Sequence, residues 1–153
     1  MYHKIFYLLF SLFLIFNLTS CDKDDPLSPA EDHFEAIGMV VYDATGMETL
    51  RILRGVTADT LFGEAGKRSD HYTVKFIDDK ENIIDAPEDD PDHKFAWEIA
   101  DKSVASIYQH PGEEGGFEFH IDGLKAGITS IEFFIEHEGH SDYRTGKIPL
   151  QIK

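Results

Sequence analysis

The chain has 153 residues, with 14 Lys and Arg against 29 Asp and Glu, which gives a formal net charge of −15. This acidity excludes nucleic acid as a natural partner, because phosphate recognition needs clustered basic side chains. The sequence contains one cysteine, Cys21, and therefore no intramolecular disulfide can stabilise the fold.

The first twenty residues have the layout of a secretory signal. A short basic start precedes a near-continuous apolar run over residues 5–16, and the small residue Ser20 stands before Cys21. As a helix this run would rise only about 18 Å, which is too short to cross a bilayer. The ending Leu18-Thr19-Ser20-Cys21 resembles the lipobox of bacterial lipoproteins. That resemblance implies cleavage after residue 20 and a diacylglyceryl group on Cys21.

Residues 22–25, Asp-Lys-Asp-Asp, resemble the surface-export signal of Bacteroidota lipoproteins. In enteric bacteria an aspartate directly after the cysteine is associated instead with retention in the inner membrane. We expect a protein lipid-anchored in the outer membrane at the cell surface, with the periplasmic face as the alternative. Residues 21–30 are predicted to be a lipidated, proline-containing tether, and residues 31–153 a single domain.

The rest of the chain alternates apolar and polar residues, with turn residues at short intervals. This period of two predicts an all-β protein, an immunoglobulin-like antiparallel β-sandwich of about seven to nine strands. Phe117, Phe119 and Ile121 share one face of a predicted strand that turns at residues 123–127 to pair with the next strand, residues 128–138. The acidic, proline-containing segment 85–92 is predicted to be irregular.

Residues 97–105, Trp-Glu-Ile-Ala-Asp-Lys-Ser-Val-Ala, resemble the core tryptophan and following corner of group 2 bacterial immunoglobulin-like domains. Residues 123–129 resemble the glycine-flanked turn of the same family, and residues 148–150 its closing strand. The resemblance covers about sixty residues. It implies the fold and transfers no catalytic residue.

The histidines are the basis of a hypothesis that the domain binds a metal ion. Imidazole is the commonest metal ligand in proteins, and an exported domain without thiols has His, Asp and Glu left to bind Zn or Cu. His137 and His140 flank a Glu-Gly turn, with Glu136 and Asp142 beside them. We predict a site built on His137 and His140, with His120 and His33 as further ligands. His110 is an additional candidate.

Two functions follow as hypotheses. The first is a surface lipoprotein that binds a transition metal ion through this histidine cluster, with membrane lipid as a partner through Cys21 and an outer-membrane receptor as a possible second partner. The alternative is a non-catalytic immunoglobulin-like module for protein or glycan binding in an outer-membrane assembly. Calcium at the acidic segment 88–92 is a further alternative. We expect no enzyme, because the sequence contains no catalytic motif of the hydrolase, phosphate-binding or metalloprotease type.

Overall fold

Two β-sheets facing each other make up the structure, a computed structural model that describes residues 33–153. Eleven strands occur in this range: β1 (Gly38–Asp43), β2 (Glu48–Leu53), β3 (Leu61–Gly63), β4 (Tyr72–Ile77), β5 (Ile83–Ile84), β6 (His93–Ile99), β7 (Ala105–Tyr108), β8 (Glu118–Gly123), β9 (Gly127–His137), β10 (His140–Arg144) and β11 (Ile148–Ile152). The predicted signal segment 1–20, the lipidation site Cys21 and the tether 21–30 lie outside the described residues. In residues 33–153, no helix is long and apolar enough to cross a membrane.

The first sheet has the strand order β2-β1-β4-β8-β7, with β5 paired to β4. In the second sheet the order is β10-β9-β11-β3, and β6 lies against β9. The predicted all-β sandwich is confirmed. Its strand count exceeds the predicted seven to nine because residues 143–152 contribute to two strands and Ile83–Ile84 form a short extra one. One pair, β3 with β11, is parallel, so the sandwich is not purely antiparallel.

The core lies between the sheets and is rich in phenylalanine. Phe119 of the first sheet and Phe133 of the second sheet are both buried, with ring centroids 5.1 Å apart. Phe95 stacks on Phe133, also at 5.1 Å. Along β8 the alternation holds as predicted, because Phe119 and Ile121 face this core while Glu118 is exposed. Trp97 packs against the same core and is partly buried.

The predicted hairpin between β8 and β9 is wrong. β8 pairs with β4 and β7, whereas β9 pairs with β6, β10 and β11 in the other sheet. The reason lies at Gly123, which exchanges backbone hydrogen bonds with Lys67 and Gly66. A Cβ at position 123 would meet the carbonyl oxygen of Glu64 at 2.2 Å, so only glycine allows this contact. The chain then crosses to the second sheet.

Candidate metal centres

All seven histidines of residues 33–153 fall into two clusters. We call the first the Asp142 cluster, and it consists of Asp142 with His33, His93, His137 and His140. We call the second the three-histidine cluster, and it consists of His71, His110 and His120. In each cluster at least three side chains bring potential ligand atoms within 4.8 Å of one another.

Three adjacent strands place the histidines of the Asp142 cluster side by side. His93 opens β6 and lies opposite His137 at the end of β9, and His137 lies opposite His140 at the start of β10. The connecting residues Glu138 and Gly139 have φ angles of 47° and 88°. Two positive φ angles in a two-residue loop are characteristic of a type I′ hairpin, which fixes the strand register. The turn therefore sets His137 and His140 against each other, with ring centroids 5.5 Å apart.

A β-bulge supplies the carboxylate at the centre of the cluster. In the pairing of β10 with β9, Ser141 lies opposite Glu136 and Tyr143 lies opposite Ile135, which leaves Asp142 as an extra residue. Such bulges change the direction of a side chain relative to regular alternation. The Asp142 side chain is fully inaccessible to solvent, although its neighbour His140 is exposed.

The two oxygens of Asp142 have different surroundings. Oδ2 accepts a hydrogen bond from the backbone N–H of Phe34 at 2.9 Å and lies 3.0 Å from His93 Nε2. Oδ1 lies 3.0 Å from His33 Nδ1 and 3.1 Å from His140 Nε2. Phe34 and His93 thus hold one oxygen in place, while the other faces the imidazoles of His33 and His140.

His93 connects this carboxylate to the acidic segment 88–92. Its Nδ1 lies 2.9 Å from Asp90 Oδ2, and its Nε2 contacts Asp142. The ring also stacks on His137 with centroids 4.2 Å apart. Asp90, considered above as part of a calcium site, thus holds a histidine that orients Asp142.

The electrostatics of the cluster keep Asp142 ionised. Burial by itself raises the pKa of this carboxyl, but the Phe34 N–H, the imidazoles of His33 and His93, and the nearby His137 outweigh it and lower the pKa to about 2. At neutral pH Asp142 is therefore a carboxylate with an oxygen available as a ligand.

His137 contributes a buried polar atom that has no hydrogen-bond partner among the described residues. The residue is 7% exposed, and its Nδ1 lies 3.3 Å from Asp142 Oδ2 without forming a hydrogen bond. A buried, unpaired nitrogen costs about 1–3 kcal/mol unless something binds it. The Asp142 cluster thus contains an atom that a cation would satisfy.

The three-histidine cluster lies on the outer face of the first sheet. His120 alternates with the core residues Phe119 and Ile121, yet it is only 6% exposed because the rings of His71, His110 and Tyr108 cover it. His110 Nε2 lies 3.2 Å from both His71 Nε2 and His120 Nε2. The three Nε2 atoms therefore face one another.

The predicted ligand set is divided between the clusters. The structure brings together His33, His137 and His140, and it places His120 in the three-histidine cluster, beside His71 and His110. Separate sheets account for the division, because β8 carries His120 and β9 carries His137. The sequence pattern predicts no ligand role for Asp142, His93 or His71. Regular alternation would place Asp142, two residues after His140, on the same face of the strand, but the bulge at residue 142 departs from this alternation.

The chain matches no protein-family model and no curated protein. One solved structure to which the chain is similar is the "Crystal structure of the S-layer protein SbsC domains 4 and 5". The match has a TM-score of 0.40 at 14% identity, and it covers 61% of this chain and 46% of that chain. A similarity of this extent supplies no argument about function.

Proposed function

We propose that this protein is a lipoprotein of the outer-membrane surface, anchored through Cys21, that binds a transition metal ion, zinc or copper, at the Asp142 cluster. The ligands are His33, His137, His140 and Asp142, whose candidate donor atoms all lie within 4.8 Å of one another. His93 acts from outside this set by orienting the carboxylate.

One observation supports the metal site above all others. His33 Nδ1, His140 Nε2 and Asp142 Oδ1 form a triangle with sides of 3.0, 3.1 and 3.3 Å. Zinc–nitrogen distances of 2.0–2.1 Å in a tetrahedral site require ligand atoms about 3.3 Å apart. The three atoms thus have the spacing of one face of a zinc tetrahedron, and the buried His137 is the candidate for the fourth corner.

The ligand set favours binding over catalysis. Three imidazoles and one carboxylate fill a tetrahedral zinc site, as in structural sites, whereas catalytic zinc keeps a position for water. Access is nevertheless possible, because a surface depression of about 450 Å³ is lined by His33, His140 and Asp142. This combination suits capture of an ion from the surroundings and its release to a partner.

Metal titration tests the proposal. We expect the purified protein to bind Zn²⁺ at micromolar concentration or below in isothermal titration calorimetry, and zinc at 100 times its Kd to add about 2.7 kcal/mol to stability. In the double variant His33→Ala/His140→Ala binding at the Asp142 cluster is lost, and in His71→Ala/His110→Ala it is retained. Equal binding by the wild type and His33→Ala/His140→Ala would contradict this site, and absence of zinc binding by the wild type would favour a protein-binding or glycan-binding module.

The location needs its own experiment. Protease treatment of intact cells removes the protein if it faces outward, and Cys21→Ala releases it from the membrane fraction if the cysteine carries the anchor. Protection from protease in intact cells, with degradation after outer-membrane rupture, would place the domain on the periplasmic face.

A further inference from the structure

The three-histidine cluster shares no side chain with the Asp142 cluster, and its hydrogen bonds determine which nitrogens are available. His120 Nδ1 lies 2.9 Å from the carbonyl oxygen of Ser69. A carbonyl oxygen only accepts, so this nitrogen carries the proton. Neutral His120 therefore has its lone pair on Nε2, the atom that faces the other two rings.

The same reasoning applies to His71. Its Nδ1 lies 3.3 Å from Glu118 Oε2, and a carboxylate oxygen accepts. Thr73 Oγ1 donates a hydrogen bond to the other oxygen of Glu118 and so helps to hold the carboxylate beside the ring. A histidine ligand commonly donates its second ring nitrogen to a carboxylate or a backbone carbonyl in metal sites. Both His71 and His120 have such a partner.

Hydrogen bonding within the cluster cannot satisfy all three Nε2 atoms. His110 Nε2 lies 3.2 Å from each of its two neighbours, and its one N–H can point along only one of these directions. At least one lone pair therefore has no hydrogen-bond partner inside the cluster when the imidazoles are neutral. A single metal cation would bind all three.

We infer that His71, His110 and His120 form a second transition-metal site, independent of the Asp142 site, with a fourth coordination position open to an external ligand. Three imidazoles with one open position are the ligand set of zinc sites that bind water or an anion. The side chain of His71 is 44% exposed, so solvent reaches the edge of the cluster. With no carboxylate among its ligands, a divalent ion here keeps its full charge and attracts a small anion.

The two sites also differ in charge. At the first site Asp142 reduces the charge of a bound divalent ion by one and four protein ligands surround it. At the second site three neutral ligands leave the charge unchanged. The second site is accordingly predicted to take a small anionic ligand such as azide, and the first site to exclude it.

The test measures how many equivalents of Zn²⁺ the protein binds. It uses a background protein in which two further potential ligands, His3 and Cys21, are replaced. His3 and Cys21 lie outside the described residues, so all proteins carry His3→Ala and Cys21→Ser and no histidine tag. We expect two equivalents of Zn²⁺ for this background, and one equivalent each for His71→Ala/His110→Ala and for His33→Ala/His140→Ala. His71 and His110 are partly exposed, and unchanged circular dichroism checks that their replacement leaves the fold intact.

The outcomes separate the two proposals. If the background binds one equivalent that His71→Ala/His110→Ala retains, the inference is overturned and the proposed function stands. If His71→Ala/His110→Ala loses that one equivalent and His33→Ala/His140→Ala retains it, the inference stands and the proposed function fails. Absence of binding to all three proteins overturns both.

Cobalt tests the open position. Co²⁺ replaces zinc and reports its coordination by visible absorption. We expect azide to change the spectrum of cobalt bound to His33→Ala/His140→Ala, which keeps only the three-histidine cluster. In His71→Ala/His110→Ala the cobalt spectrum should be insensitive to azide. An azide response confined to the latter protein, or absent from both, would overturn the assignment of the open position.

Discussion

The two histidine clusters differ in what holds their rings together. In the Asp142 cluster a solvent-inaccessible carboxylate lies within 3.3 Å of four imidazoles, so the rings are arranged around an anion. In the three-histidine cluster the rings face one another through nitrogen atoms 3.2 Å apart. The first cluster therefore contributes to folding stability without metal, whereas the second gains most of its stabilisation when a cation binds.

This difference shows that local backbone geometry decides what kind of site a group of histidines makes. A one-residue bulge turns Asp142 inward, where its carboxylate contacts four imidazoles. In the first sheet, Glu118 is exposed and contacts Nδ1 of His71, not the Nε2 that faces the other histidines. One carboxylate thus lies at the centre of its cluster, and the other lies at the edge.

Removal of the central anion should have the largest effect. Asp142→Asn is expected to destabilise the metal-free protein by about 3 kcal/mol, because the Phe34 N–H and four imidazoles lose a charged partner. Zinc binding at this cluster should weaken by more than the roughly 10- to 100-fold that loss of an outer partner costs. Urea unfolding and calorimetry measure the two effects.

The counterpart in the other region is Asp122→Asn. Asp122 pairs with Arg68 at 2.7 Å, and both side chains are partly exposed, so this change should cost less than about 1 kcal/mol. Equal destabilisation by the two substitutions would remove the distinction between a cluster built on a buried anion and one that is not.

Acid should abolish the advantage that Asp142 provides. Its pKa is lowered from 3.8 to about 2, so the carboxylate contributes stability that is fully present above pH 3.8 and is lost as pH falls through about 2. The stability difference between wild type and Asp142→Asn, measured by urea unfolding in EDTA, should therefore shrink as the pH falls from 3.8 through about 2. A difference that persists unchanged at pH 2 would show that Asp142 is not held by these contacts.

Replacing Glu118, the carboxylate beside the three-histidine cluster, should have a smaller effect than replacing Asp142. Glu118→Gln removes the anion beside His71 Nδ1 and should weaken zinc binding at the three-histidine cluster by about tenfold, with no change at the Asp142 cluster. Glu136→Gln is the matched control, since Glu136 is an exposed carboxylate next to His137 with no predicted role at either site. If both variants weaken zinc binding at the three-histidine cluster equally, the effect comes from general surface charge and not from the orientation of His71.

The hairpin turn gives the smallest expected effect. Gly139 has a φ of 88°, so Gly139→Ala should cost about 1 kcal/mol through backbone strain and weaken zinc binding at the Asp142 cluster a few-fold by displacing His140. Gly46→Ala is the control, because Gly46 has a φ of 79° and equally open surroundings but belongs to another turn. If both variants bind zinc like the wild type, the turn does not position the ligands.

The sequence predicted those parts of the structure that depend on local alternation. The buried Phe119 and Ile121 on β8, the irregular segment before β6 and the approach of His137 to His140 across a glycine turn all follow from residues near one another in the chain. Even the partial burial of Trp97 against the core follows from its alternation with Phe95 and Ile99.

The features that the sequence did not predict depend on contacts between residues that are distant in the chain. The bulge at Asp142 breaks the period of two that the prediction assumed, and no residue type marks it. The crossing after Gly123 depends on the backbone of residues 64–67, which the sequence does not place there. His71 and His110 are 39 residues apart and meet only through the order of strands in the first sheet. For this reason the sequence alone does not predict that His120 lies beside His71 and His110.

Anomalous X-ray scattering at the zinc absorption edge tests the central claim most directly. Crystals grown with zinc should give an anomalous difference peak bounded by His33, His137, His140 and Asp142, at about 2.0–2.2 Å from the nearest nitrogen and oxygen atoms. A map without a peak among these four side chains, at a zinc concentration that saturates the protein in solution, would contradict the account.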